Sequence, residues 1–151
     1  MATFRERPYS QFNFRVEIEG GPASDTVKGG FQEVSGLGLE ITVAEYRNGN
    51  WKENAPLKIT GMYKAPDITL KRGVIGDLDF LWGWLKEVRD GNQNMLKKVR
   101  IILQNEAHVD VQEWQLTNAR PTKYTGPSLT AKGTDVAVDE LMLACEKIDL
   151  A

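Results

Sequence analysis

A change of period inside residues 66–91, PDITLKRGVIGDLDFLWGWLKEVRDG, constrains this chain more than any other stretch. Ile68 and Leu70 alternate with Thr69 and Lys71 as in a strand, and Gly73 and Gly76 then interrupt the run. Beyond them Leu78, Leu81, Trp82, Leu85 and Val88 follow the spacing of one helical face. Asp77 and Asp79 sit in the first turn, where the helix dipole favours acids, and Lys86, Arg89 and Gly91 mark its end. Phe80 and Trp84 lie beside the stripe and widen the apolar arc to roughly 200°, against ~100° for an ordinary surface helix. A helix of this length cannot repay its own ordering entropy, so it must lie on a sheet supplied by the rest of the chain. Its surplus flank, Phe80 and Trp84, is expected to meet a loop of its own chain or another molecule.

The flanking sequence supplies that sheet. Residues 11–19 alternate Phe12, Phe14, Val16 and Ile18 with Asn13, Arg15, Glu17 and Glu19, and Gly20, Gly21 and Pro22 end the run. Residues 28–35 predict a second strand with a bulge, since Phe31 and Val34 are out of phase, and Gly36 and Gly38 turn the chain into a third over residues 39–46. Further strands are predicted over residues 98–104, with Arg100 and Gln104 opposite Val99, Ile101 and Leu103, over 109–118, and over 134–148. Pro121, Gly126 and Pro127 suggest a hairpin after the sixth strand. Seven strands and one helix predict a mainly β, antiparallel barrel or sandwich with the helix flanking one opening. With 151 residues, 41% of them hydrophobic, the chain suits a single domain over 1–151. Residues 47–65, RNGNWKENAPLKITGMYKA, fit neither period and are expected to form an extended loop.

Chemistry is sparse. One histidine, His108, and one cysteine, Cys145, leave no raw material for a clustered metal site, a cofactor ligand set or a Cys/His nucleophile pair, and His108 is expected in a turn. No enzymatic activity is expected. Gly36–Leu37–Gly38 opens no helix and precedes no Lys-Ser/Thr, so it fails as a phosphate cradle. A net charge of −2 with scattered basic residues disfavours nucleic acid and anionic membranes as gripped partners. No run of apolar residues suggests a signal peptide or direct membrane anchor, so synthesis in the cytoplasm is expected. Trp82 and Trp114 are expected in the core, leaving Trp51 as the aromatic open to a partner.

Three segments, FQEVSGLGLEITVAEYRNGN, DITLKRGVIGDLDFLWGWL and NARPTKYTGPSLTAKGTDVAVDELML, together resemble the tail tube family of contractile-tailed phages. The likeness rests on the turn at Ser35, Gly36 and Leu37 leading to EYRNGN at residues 45–50, on LKRG before the helix, and on Asn118, Ala119, Pro121 and Thr122. Within the family the chain is most similar to inner tube proteins of extracellular contractile injection systems of the antifeeding-prophage and virulence-cassette type. The resemblance implies hexameric rings stacked into a hollow tube inside a contractile sheath. Its partners would be further copies of itself, the sheath protein, baseplate, spike hub and tube cap proteins, with a cargo effector or DNA in the lumen. The particle would be a phage tail or an injection machine, anchored or released. Read with it, Tyr46, Arg47, Asn48, Gly49, Asn50, Trp51 and Met62 become the expected inter-ring loop, and Phe80 and Trp84 an inter-subunit flank. Arg100, Gln104, Gln112, Gln115 and Thr117 become the expected lumen-facing residues. A different class of function, a small monomeric β-barrel that binds a ligand, fits the same composition.

Overall fold

The computed structural model describes residues 5–20, 30–74 and 79–151. In chain order the elements are β1 (Phe14–Ile18), β2 (Glu33–Ser35), β3 (Glu40–Tyr46), β4 (Leu57–Lys64), β5 (Ile68–Gly73), α1 (Asp79–Arg89), β6 (Lys97–Gln104), β7 (Asp110–Thr125), β8 (Val138–Ala144) and β9 (Lys147–Leu150). Every pairing is antiparallel, and the main sheet runs β1-β6-β7-β8-β5-β2, with β9 added to β7. Among the described residues, β3 and β4 pair only with each other.

β7 bends the sheet over on itself. Its first part pairs with β6 and β9, and its second part, from Arg120, pairs with β8. Between them Asn118 takes a φ of 54°, a left-handed conformation that asparagine tolerates better than most residues. The two halves thus face each other. Val16, Val99, Ile101 and Leu116 from one meet Ile68, Leu70, Leu141 and Leu143 from the other in a core that is almost fully buried. The expected hairpin forms between β7 and β8, its connection starting at Gly126 and Pro127, whereas Pro121 lies within β7 beside a bulge and is itself buried. Residues 134–148 are not one strand, because β8 and β9 are separated at Cys145 and Glu146. β2 is shorter than expected and pairs with β5 in regular register over Glu33–Ser35. Just before it Gln32 N–H also reaches the Lys71 carbonyl that Glu33 faces, as in a bulge, and both Phe31 and Val34 pack on the core, while residues 28 and 29 lie outside the described residues.

α1 covers this core with Trp84, which is 2% exposed, flanked by half-buried Leu81, Leu85 and Val88. Lys86 and Arg89 occupy its last turn, and Gly91, at a φ of 93°, closes it while Asn92 N–H reaches the Glu87 carbonyl. Gly76, Asp77 and Leu78, expected at its start, lie outside the described residues.

Gly36 turns the chain out of β2 at a φ of 90°, against the Asp67 carbonyl that precedes β5. This close backbone approach joins the two legs of the β3–β4 hairpin, which leaves the body of the subunit here.

Candidate functional site

The hairpin departs most from the sequence reading. Residues 57–64, expected inside an irregular loop, form β4; the irregular part shrinks to the tip, residues 47–56. The strand was hidden because Gly61 and Met62 form a bulge that breaks its alternation against Ile41 and Val43, and because Pro56 stands just before it. Every residue of β3 and β4 is exposed. The apolar ones divide by face. Near the tip Tyr46, Leu57 and Ile59 share one face, and near the base Ile41, Val43 and Tyr63 share the other, each between 46% and 54% exposed. Met62, at the bulge, is 85% exposed.

The tip is ordered by its own contacts. The rings of Tyr46 and Trp51 meet edge to face at 6.2 Å, and Tyr46 O–H lies 2.5 Å from Asn48 Oδ1. Arg47 donates to the Trp51 and Glu53 carbonyls, each at 3.0 Å. Arg47, Gly49 and Asn50 are exposed, whereas Asn48 and Trp51 are half-buried within the tip.

A second surface lies on the outer face of β1, β6, β7 and β9. Register places Arg15 and Glu17, Arg100 and Gln104, and Glu113, Gln115 and Thr117 on this face. Arg100 Nη1 donates to Glu17 at 2.6 Å and its Nε–H to Glu113; Arg15 pairs with Asp110 at 2.6 Å, which also accepts from Gln104 at 3.1 Å. The hydrogen bond from Arg100 is the main cause that holds the Glu113 carboxyl below its ordinary range, and the same bond raises Arg100. Ile102 is buried beneath these side chains. Gln112 does not belong to the group. Gln112 stands opposite Leu103 in a register that runs unbroken to Leu116, and so lies on the side that carries Trp114 and Leu116; the bulge falls beyond it, between Gln112 and Asp110. The sequence reading missed Arg15, Glu17, Asp110 and Glu113, although the alternation in FRVEI already placed two of them beside Arg100.

The helix flank also needs correction. Trp84 is no surplus: its Nε1–H donates to the Met95 carbonyl at 2.9 Å inside the subunit. Phe80 is half-buried, with Lys97 Nζ 5.3 Å from its ring centre. The exposed aromatic is Trp82, expected in the core; it is 47% exposed and packs edge to face on Tyr124 at 5.6 Å. Tyr124 donates to Asp139 at 3.1 Å, and burial first, then that bond, pushes its phenol above the ordinary range.

A cleft of about 700 Å³ opens between β1 and β2, lined by Phe12, Phe14, Val34, Leu37, Leu103 and Trp114 among others. Arg5 straps the segment before β1 in place, donating to both carboxylate oxygens of Glu106 at 3.1 and 3.2 Å and stacking over Tyr9. Among the described residues, no group of three or more His, Cys, Asp or Glu could hold a metal ion, and no helix is long and apolar enough to cross a membrane. His108 sits in a turn at a φ of 60°, its N–H bonded to the Asn105 carbonyl.

The sequence model of the T4-like virus tail tube protein gp19 family matches residues 10–149. The chain belongs to that family. As a tail tube protein it is a structural, tube-forming subunit with a mainly β, antiparallel fold. Solved relatives agree with this. A chain of the PVC sheath-tube complex of an extracellular contractile injection system, in its extended state, is 29% identical with a TM-score of 0.81, over 97% of this chain and 93% of that one. A chain of the PVC sheath/tube terminator is 30% identical with a TM-score of 0.82, over 97% and 98%. One from the anti-feeding prophage tube-terminating cap is 28% identical with a TM-score of 0.82, over 100% and 95%. Hcp1 from Flavobacterium johnsoniae, at 14% identity and a TM-score of 0.54, shares the fold alone. No curated protein matches the chain.

Proposed function

We propose that this tail tube protein is the repeating subunit of the inner tube of an extracellular contractile injection particle or a phage tail. Six copies close a ring, rings stack inside a sheath between a baseplate with its spike hub and a terminating cap, and contraction drives the tube into a target to deliver an effector or DNA. The observation that carries this reading is the β3–β4 hairpin, exposed along both strands in a chain that matches tube-complex subunits over nearly its whole length. A lone two-stranded hairpin is marginal in water, and exposed apolar side chains at this density mark an interaction surface. The hairpin, with Tyr46, Trp51 and Met62, is read as the contact between rings. The polar outer face, with Arg100, Gln104, Gln115 and Thr117, is read as the lumen wall, where paired charges and amides offer a passing chain little apolar surface to adhere to. Phe80 remains a proposed neighbour contact, joined by Trp82 in place of Trp84. Edge strands β1 and β9 expose backbone groups that a neighbouring copy could complete.

Negative-stain electron microscopy of the purified chain across a concentration series tests this. Sixfold rings and stacked tubes are expected; isolated globular particles at every concentration, including on addition of sheath and baseplate components, would overturn it.

A further inference from the structure

Asn48 is the only asparagine in the chain that a glycine follows. In such a pair the main-chain nitrogen of the glycine can attack the asparagine side-chain carbonyl carbon, because the glycine has no Cβ to crowd the approach. Three atoms decide whether a folded protein permits this: the attacking nitrogen, the carbonyl oxygen that gains charge, and the amide nitrogen that leaves. The hairpin tip favours the reaction at all three.

The attacking nitrogen is accessible. Residues 48–51 form a turn closed by Trp51 N–H on the Asn48 carbonyl at 3.2 Å, which sets Gly49 at its second position. Among the described residues the Gly49 N–H has no hydrogen-bond acceptor. Gly49 is exposed, and a methyl group on its Cα would meet nothing within 4 Å. The carbonyl is held: Tyr46 O–H donates to Asn48 Oδ1 at 2.5 Å, so the phenol stands on the oxygen that turns negative when the carbon is attacked. The leaving nitrogen is untied, since among the described residues Asn48 Nδ2 has no acceptor. Elsewhere this combination is missing. Asn13, Asn92 and Asn118 each have Nδ2 tied in a hydrogen bond, to the Asn105 carbonyl, Glu87 and Glu146 respectively. Asp90 also precedes a glycine, but Gly91 N–H is engaged by the Val88 carbonyl at 3.2 Å, and a carboxylate resists nucleophiles.

We propose that Asn48 is a self-modification site, at which the Gly49 nitrogen attacks Asn48 Cγ while the Tyr46 phenol stabilises the oxyanion. The N–Cγ bond forms as the Gly49 amide proton passes to hydroxide; the Cγ–Nδ2 bond then breaks, and Nδ2 leaves as ammonia from a five-membered imide. Water adds to either imide carbonyl and leaves aspartate or isoaspartate at position 48. The tip gains a negative charge beside Arg47. In the isoaspartate form the main chain is also longer by one carbon, within a turn that Arg47 clamps through the Trp51 and Glu53 carbonyls. The change runs one way and uses only water, so it records the age of a subunit. It is a property of the isolated subunit and does not rest on the tube reading.

The purified full chain, kept dilute and incubated at neutral and mildly alkaline pH, is sampled over time by peptide mass spectrometry and by isoaspartate methyltransferase labelling. Position 48 should convert first, and faster at the higher pH. Gly49→Ala should keep the parent's melting temperature and retain Asn48. Tyr46→Phe separates a donor from a mere tether, because loosening the tip speeds cyclisation whereas losing the donor slows it. Slowing by about 2- to 10-fold is expected, the factor that one net hydrogen bond supports. Conversion of Tyr46→Phe at the parent's rate or faster would overturn the proposal. So would survival of Asn48 equal to that of Asn54, an exposed asparagine of the same tip that precedes Ala55.

Discussion

Trp84 hands its one polar hydrogen to the carbonyl of Met95, 2.9 Å away, and thereby ties the helix to the chain that leads into β6. The indole is 2% exposed, so the helix is fastened to the sheet by packing and by this bond together. Trp84→Phe should lower the subunit's unfolding free energy by about 1–3 kcal/mol, from the carbonyl left unpaired and the volume lost. Trp84→Ala should cost about 3–5 kcal/mol. Urea unfolding followed by far-ultraviolet circular dichroism measures both. Equal stability of Trp84→Phe and the parent would mean that the hydrogen bond contributes nothing.

Gly36 is required by two independent facts, a φ of 90° and a Cβ position that collides with the Asp67 backbone carbonyl. Gly36→Ala should therefore destabilise the subunit by about 2–4 kcal/mol, a fall of roughly 5–15 °C in Tm for a domain of this size. Gly49, whose Cβ would meet nothing, provides the control, and Gly49→Ala should leave Tm near the parent value.

Acid should weaken the polar face. The Glu113 carboxyl is held below its ordinary range by Arg100 in the folded subunit. Its contribution to stability is present above the unfolded pKa of ~4.3, and it is lost as pH falls through the lower folded value. Glu106, lowered by Arg5, acts with the same sign. Urea midpoints measured from pH 7 down to pH 3 should decline at the acid end, and Glu113→Gln should flatten that decline. An acid limb unchanged in Glu113→Gln would remove this pair as a cause.

Trp51 packs on Tyr46 inside the hairpin tip and, among the described residues, does not belong to the core cluster. Trp51→Ala should change the stability of the isolated subunit by less than about 1 kcal/mol. It should nevertheless raise the concentration needed for tubes, since a disordered tip pays its ordering entropy on assembly. Light scattering against concentration, beside thermal melts, separates the two effects. A large loss of melting temperature with normal assembly would assign Trp51 to the fold instead.

Much of the fold was legible because alternation is a direct record of burial. Ile68 and Leu70, and Val99 and Ile101, point inward as their period demands. The failures have specific causes. The helix carries two overlapping apolar stripes of identical spacing, 78-81-82-85 and 81-84-85-88, and wheel geometry alone cannot rank them. The sheet and the Met95 carbonyl select the second, which buries Trp84 and exposes Trp82. Gln112 falls on the Trp114 side because the register runs unbroken from Gln112 to Leu116, the bulge beside Leu103 lying before it, and β4 was lost to a bulge at Gly61 and Met62. The cleft was invisible for a deeper reason: no residue in it is unusual, and it exists only because two distant strands stop short of each other.

The double membership of β7 has a mechanical meaning. Because one uninterrupted backbone of 16 residues pairs with β6 and β9 along its first part and with β8 along its second, a pull that tries to slide the two halves apart is borne by covalent bonds at Asn118 and Ala119. The side-chain interface carries only what remains. Under tension such a subunit should yield first at its edge strands, β1, β2 and β9, each held by one partner among the described residues.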